Sequence, residues 1–398
     1  MSFFVVFDTC THAAYYGDVH QVLALPEGAV IRYEYKRRLF QRDAAQAIEA
    51  LVQAPAQLPM PVLLMYGEKM GFTQGDKDPQ TMLSRNDSVF IPTRSASLVA
   101  VAIDRQAKPL EDVFYLHLQL RGFPNPDLPE IGTMISALET ANSLPFGDLQ
   151  TQHTWISLLP PALDPIRERL ISDDQALWPN VIDKFILIPT QFSRDVFWRV
   201  RSLSEEKRGA PSREIKLVDR ATNQRVHSQR WQRDYPLTES NRYSVQIQTY
   251  SPHEHGANVP AGSSIAMLSS DDDQGLLKLA ADPLPIVPNQ TDSKRFSILT
   301  DTALDTRFTG IHLETQVPNY TSKFPSGSLC SLTFTIRKER WRLGLGISLV
   351  ALAAGLVGYV TGAKPNGTWS AVYGVLALLS GSVGGWFLTR QFKIGSGK

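Results

Sequence analysis

The chain has 398 residues, 43% of them hydrophobic, with 40 Lys/Arg against 39 Asp/Glu and a formal net charge of +1. Residues 337–398 hold eight Lys/Arg and one acid, so residues 1–336 carry about −6, the wrong sign for a general nucleic-acid-binding surface. Two cysteines, Cys10 and Cys330, exclude a disulfide framework and fit a reducing compartment.

In chain order, Met1–Phe7 is apolar but ends at Asp8 and has no basic lead-in, so it predicts a first β-strand and not an export signal. Ala29–Tyr35 predicts a strand. Arg42–Gln53, with Ala44, Ala47, Ile48 and Leu51 on one side, predicts an amphipathic helix. Pro61–Gly67, Ser88–Pro92, Ala96–Asp104 and Val113–Gly122 predict further strands, the last with Phe114, Leu116, Leu118 and Leu120 alternating against polar residues. Residues 1–124 therefore read as a small α+β domain, mostly β.

Residues 125–183 read as an ordered, partly helical connector whose prolines keep its elements short, with helical patterns at Ile131–Asn142 and Asp164–Ser172. Residues 184–338 read as a β-sandwich-like domain. Its expected strands are Lys184–Pro189, Val196–Val200, Arg213–Val218, Tyr243–Thr249, Ile265–Leu268, Arg295–Leu299, Thr309–Thr315 and Leu329–Arg337.

The last segment, 339–398, reads as a transmembrane helical hairpin. Leu343–Ala363 and Trp369–Thr389 are each 21 residues without a charge, long enough at 1.5 Å per residue to cross roughly 30 Å of hydrocarbon. Arg337, Lys338, Arg340 and Arg342 precede the first run and Arg390, Lys393 and Lys398 follow the second, whereas the break between them has only Lys364. That bias predicts an inner-membrane protein with two spans, both termini cytoplasmic, and the preceding residues on the cytosolic side. Trp341 and Trp386 join Arg337, Lys338, Arg340, Arg342, Arg390 and Lys393 as interface anchors, with Tyr359, Trp369 and Tyr373 at the other boundary. Small residues recur every fourth position, as Ala354, Gly358 and Gly362 and as Ala377, Gly381 and Gly385. Such stripes let helices approach closely and predict packing within the hairpin and between copies, hence a homo-oligomer.

Sites are less distinct. Arg220, Arg225, Arg230 and Arg233 around Trp231 form one candidate ligand-binding patch, and Arg32, Lys36, Arg37 and Arg38 a second. Both have the chemistry for a nucleotide or nucleic-acid phosphate, with Trp231 able to stack a base; the first patch equally suits lipid headgroups, a partner protein or a plain solvated hairpin. Asp8, Cys10, His12, Asp18 and His20 resemble a metal or nucleophile cluster without a standard zinc spacing, and a small buried cysteine is the plainer reading. His253, His255 and Asp271–Asp273 read as solvated loops. No P-loop, G-x-S-x-G, H-E-x-x-H or C-x-x-C motif occurs, so no catalytic residue, metal or cofactor is assigned and a non-enzyme is expected.

The layout of a large β-rich cytosolic part followed by a terminal two-span hairpin resembles the membrane effectors of bacterial antiphage defence systems. The resemblance implies a cytosolic part that senses a ligand or partner and a hairpin that oligomerises and breaches the membrane. The alternative is a passive anchor holding a cytosolic scaffold that recruits a protein or nucleic acid.

Overall fold

A computed structural model describes residues 2–9, 16–69, 88–105, 112–145, 154–187, 196–206, 211–219, 233–239, 241–251, 262–269, 276–280, 282–298, 307–316, 329–337, 340–363 and 366–391. Its N-terminal and middle parts are mostly β-sheet, and its C-terminal part is a pair of helices.

The first part contains β1 (Phe4–Asp8), α1 (Tyr16–Ala24), β2 (Val30–Lys36), α2 (Arg42–Gln53), β3 (Met60–Lys69), β4 (Ser88–Asp104) and β5 (Val113–Leu120). These are followed by α3 (Pro129–Thr140), β6 (Ile156–Leu158), α4 (Arg167–Leu170) and α5 (Trp178–Leu187). Six strands form one sheet in the order β2-β5-β4-β3-β1-β6, with β1 parallel to β3 and the other pairs antiparallel. Alternation assigns its faces. Phe4, Val6, Val62, Leu64, Leu116 and Leu118 pack with Ala44, Ala45, Ile48 and Leu51 of α2. Phe3, Val5, Phe7, Leu63 and Met65 pack with Ile131, Met134 and Leu138 of α3 on the opposite side. The proline-rich stretch thus supplies a strand and a covering helix to this sheet.

Ser88–Pro92 and Ala96–Asp104 are halves of one strand. The β3–β4 register shifts between Leu64 and Met65, skipping Thr93, and Pro92 sits at that irregularity, where a missing N–H is tolerated. Lys184–Pro189 is not a strand: residues 184–187 end α5, and 188–189 lie outside the described residues. The apolar run there is one side of a helical stripe, since Trp178, Val181, Ile182 and Phe185 are all buried against Val19 and Leu23 of α1 and Tyr66 of β3.

The middle part has two sheets. One, in the order β14-β12-β16-β17-β10-β9, uses β9 (Val218–Asp219), β10 (Arg233–Thr238), β12 (Ser264–Ser269), β14 (Leu284–Pro285), β16 (Arg307–Gln316) and β17 (Leu329–Arg337). The other, in the order β13-β15-β11-β7-β8, uses β7 (Phe197–Glu206), β8 (Arg213–Ile215), β11 (Arg242–Tyr250), β13 (Leu277–Leu279) and β15 (Thr291–Ile298). Their buried faces meet: Phe296 of β15 stacks on Phe334 of β17 with centroids 5.4 Å apart, and the Trp198 indole donates to Thr315 Oγ1 at 2.7 Å. The regular alternation of Tyr243, Val245 and Ile247 on β11, and of Leu332, Phe334 and Ile336 on β17, builds this core. β10, β13 and β14 are too short or too polar to stand out in sequence.

Arg94 of β4 ties α1 to the first sheet. Its side chain is fully buried, with Nη1 donating to Val22 O and Leu25 O at 3.0 Å and Nε to Arg121 O at 2.7 Å. It supplies donors to carbonyls that the end of α1 leaves open and lies over the Phe123 ring at 4.0 Å. Arg94→Met is expected to lower stability by about 3 kcal/mol, because two buried carbonyls and a part-buried one lose charged donors while an expensive buried cation disappears. Urea unfolding in detergent micelles checks this. Arg94→Lys, whose ammonium cannot span all three acceptors, should recover only part of the loss.

The C-terminal helices are α6 (Arg340–Ala363) and α7 (Gly367–Gln391). Within α6, Gly344–Ala363 gives 20 residues of mean hydropathy 1.8, long and apolar enough to cross a membrane. The helices pack against each other through small residues. A Cβ on Gly384 would meet Gly346 O at 2.9 Å and Leu349 Cβ at 3.0 Å, one on Gly381 would touch Ala353 at 3.4 Å, and Ala377 is buried. Tyr359 meets Tyr373 edge-on at 5.5 Å beside Trp369. Of the expected stripes, Ala377 and Gly381 face the partner helix, whereas Gly358, Gly362 and Gly385 face open space and Ala354 is exposed. Gly384, outside both stripes, makes the closest approach.

Candidate functional site

The C-terminal end of β1 opens into a cavity of about 650 Å³. Ligand sites favour the carboxyl ends of parallel strands, and β1 is the strand where a parallel neighbour on one side gives way to an antiparallel one on the other. Phe7, Asp8 and Thr9 come from β1, Asp18 from α1, Arg32–Lys36 from β2, Arg38 and Leu39 from the turn after it, Val113 from β5, and Trp155 from the segment before β6.

Asp8 is the buried group of this site. It accepts the Tyr33 hydroxyl at 2.7 Å on one oxygen and the Thr9 N–H at 2.9 Å on the other. The Tyr35 hydroxyl donates to Phe7 O at 3.0 Å, and the rings of Tyr33 and Tyr35 stack at 5.7 Å. Burial pushes the Asp8 carboxyl up to about 7, with the Asp18 charge adding to the rise and the Tyr33 and Thr9 hydrogen bonds opposing it. Burial also raises Asp18 above its ordinary value and holds the Tyr33 hydroxyl protonated, well above 10. Around these acids stand exposed Arg32, Lys36 and Arg38, with the exposed carboxylate Glu34 among them.

The site can therefore exchange a proton near neutral pH at its floor and attract negative charge at its rim. A polar ligand carrying an anionic group for Arg32, Lys36 or Arg38 and a hydrogen-bonding head for Asp8 and Tyr33 matches that distribution.

Of the residues expected from sequence, Arg32, Lys36 and Arg38 converge here, while Arg37 turns to Glu49 of α2, Nε to Oε1 3.0 Å. Asp8 and Asp18 do share a cavity, but His20 is buried with its ring 4.6 Å from that of Trp198. Among the described residues no group of His, Cys, Asp or Glu could hold a metal ion. Cys10, His12, His253, His255 and Asp271–Asp273 lie outside them, as do Arg220, Arg225, Arg230 and Trp231. Arg233 is described and pairs with Asp219 at 3.1 Å; it does not line the β1 cavity but shares a neighbouring cleft with Asp18, Arg32 and Tyr33.

Of the residues expected to flank a membrane, Arg337 ends β17 and Trp386 is exposed on α7. Arg340, Trp341, Arg342 and Arg390 belong to the two helices without described side chains, and Lys338 and Lys393 lie outside the described residues. Sequence reasoning missed Tyr33, Tyr35 and Trp155 as site residues because strand alternation explains aromatic residues without invoking a ligand. No protein-family model matches the chain, and none of the curated proteins compared with it does.

Proposed function

We propose that this protein is an inner-membrane receptor and effector: its β-rich cytosolic body binds a ligand or partner, with the β1 cavity as the small-molecule site. Both C-terminal helices span the bilayer and oligomerise in response. The output is membrane permeabilisation, as in the antiphage effectors whose layout it resembles.

The observation that carries this reading is where apolar surface is exposed. Among the described residues, every exposed large hydrophobic side chain except Leu268, Val287 and Phe308 lies on α6 or α7, including Leu352, Val357, Leu378 and Leu379. Water would not tolerate so continuous an apolar coat, whereas lipid would. Thr361 and Ser380 return their hydroxyls to carbonyls of their own helices, Thr361 to Val357 O at 3.0 Å and Ser380 to Leu376 O at 2.8 Å, as hydrocarbon surroundings demand. β17 ends at Arg337 and α6 starts at Arg340, so a displacement of that strand reaches the membrane helix across two residues.

Overproduction in bacteria with a potential-sensitive dye tests the proposal. Wild type is expected to depolarise the cells. Gly358→Leu, which alters an open helix surface and not the hairpin seam, should restore polarisation at unchanged membrane abundance, and Gly384→Leu should remove the protein from the membrane by disrupting the hairpin. If Gly358→Leu stays fully active, or an unrelated hairpin substitutes freely, the helices are an anchor for a recruiting scaffold and the effector reading fails. A reporter fused after residue 398 is expected in the cytoplasm; a periplasmic signal would overturn the two-span topology.

A further inference from the structure

A second cavity, of about 530 Å³, lies where the first sheet meets the five-stranded sheet of the middle part. Glu27 and Gly28 ahead of β2 and Gln119 of β5 form one wall; Arg199 and Arg201 of β7, Lys216 and Arg233 form the other. Arg199 is only 6% exposed, yet its hydrogen-bond acceptors are all neutral: Gln248 Oε1 at 3.0 Å from Nε, and Gln175 O at 3.1 Å and Gln175 Oε1 at 3.5 Å from Nη1. It lies over the Trp178 ring at 4.6 Å and the Phe123 ring at 5.5 Å, and Arg94 covers Phe123 at 4.0 Å. Two guanidinium groups are thus gathered on one aromatic ring; neither hydrogen-bonds a carboxylate among the described residues, and the Glu27 charge acts on Arg94 but not on Arg199.

A buried cation without a counter-charge is costly, and proteins keep such groups paired or at a site that meets an anion. Four cations line the cavity, Arg233 already paired with Asp219, against the exposed carboxylates Glu27 and Glu214. Arg233 donates Nη1 to Gly28 O at 3.1 Å and Nη2 to Leu217 O at 3.0 Å, so it fixes the two walls relative to each other. Burial and the neighbouring Arg201 charge push Arg199 down to about 10, still cationic at neutral pH.

We infer that this cleft binds a soluble, phosphate-bearing small molecule, with Arg199 at its base and Arg201 and Lys216 at its mouth. The volume suits a mononucleotide-sized ligand and the guanidinium fork suits paired phosphate oxygens. Bound there, the anion would bridge the first sheet and the middle part at their joint, independently of the β1 cavity.

The experiment uses the full chain in phosphatidylcholine nanodiscs, with inorganic pyrophosphate as probe and chloride at matched ionic strength as control. Saturable binding by calorimetry is expected, accompanied by a rise in Tm. Arg201→Gln with Lys216→Gln, both at exposed positions that leave the core intact, should weaken it at least tenfold. Arg199→Gln should abolish it, and Arg32→Gln with Lys36→Gln, in the other cavity, should leave it unchanged. Adding phosphatidylglycerol to the discs should not alter the affinity. Competition by that lipid would assign the cations to headgroups and overturn the soluble ligand. No saturable binding, or binding indifferent to Arg201 and Lys216, would overturn the site itself.

Discussion

Replacing Asp8 by asparagine is expected to stabilise the protein at pH 8 by about 4 kcal/mol, at roughly 1.4 kcal/mol for each tenfold change in proton affinity, and to change little at pH 4. Asp8 is buried at the end of β1, and its carboxyl is raised from 3.8 to about 7. The folded protein therefore keeps a proton on Asp8 over a range where the unfolded chain has lost it. The folded state binds more protons, so this group's stabilising contribution is full below about pH 4. It declines as pH rises and is gone once pH passes 7. Asparagine keeps its one acceptor oxygen for the Thr9 N–H, can donate its amide to the Tyr33 oxygen, and cannot ionise. Urea unfolding of both proteins in detergent micelles at pH 4, 6 and 8 gives the comparison. The stability difference between the two proteins should grow from little at pH 4 to about 4 kcal/mol at pH 8. Taking the difference removes His117, whose burial lowers it from 6.5 to about 4 and gives a slope of opposite sign. A difference that stays constant from pH 4 to pH 8 would show Asp8 to be ionised in the folded state and would remove the proton-exchanging floor from the proposed ligand site. A ligand that donates a hydrogen bond to the ionised carboxylate should bind more tightly above pH 7, which links site occupancy to the same titration.

The second large effect concerns one missing side chain. Gly122→Ala is expected to destabilise the protein by at least about 3 kcal/mol, at the severe end for inserting a methyl group into a packed region. A Cβ on Gly122 would run into the backbone of Asp173 and Asp174, with Asp173 Cα at 2.6 Å. Backbone atoms cannot rotate out of the way as a flexible side chain could. Relief requires moving the segment after β5 from the 172–174 segment, which hydrogen bonds hold on either side. Phe123 N donates to Asp174 O at 2.9 Å, Ser172 N donates to Ser95 Oγ at 2.9 Å, and Arg121 forms a two-pronged ion pair with Asp173 at 2.6 Å. Phe123 is also the ring beneath Arg94 and Arg199, so the strain would reach the cleft between the two β-rich parts. A thermal unfolding series with Gly122→Ala and Arg121→Gln separates the contributions. Arg121 is a partly exposed ion pair whose loss should cost about 1 kcal/mol or less, so an equal effect from both would refute the backbone clash.

Legibility in the sequence followed the range of the interaction. β11 and β17 could be read because their alternation is complete within one strand and one face of each is buried. α2 could be read because Ala44, Ile48 and Leu51 repeat at helical spacing. The strand expected at Lys184–Pro189 failed for the converse reason: four consecutive apolar residues satisfy both periods, and only the burial of Trp178 and Val181 upstream favours the helix. α1 was missed because its nine residues present a short apolar face whose partners, on β3, β4 and α5, are distant in the chain. At the candidate site, the rim cations Arg32, Lys36 and Arg38 were visible as a charge cluster. The floor was visible only as the Asp8 and Asp18 pair; Tyr33 was not, since it stands 25 residues from Asp8 and meets it only through the strand order.

Hydropathy, charge bias and alternation are properties of short windows, and they were enough to specify an apolar C-terminal helical segment, its basic flanks and two β-rich parts before it. Where Asp8 meets Tyr33, how Arg94 reaches α1 from 72 residues away, and how Arg233 touches Gly28 from 205 residues away were decided by topology. Those contacts depend on which strands become neighbours, a choice made by burying all the apolar faces at once, and no window of sequence contains it.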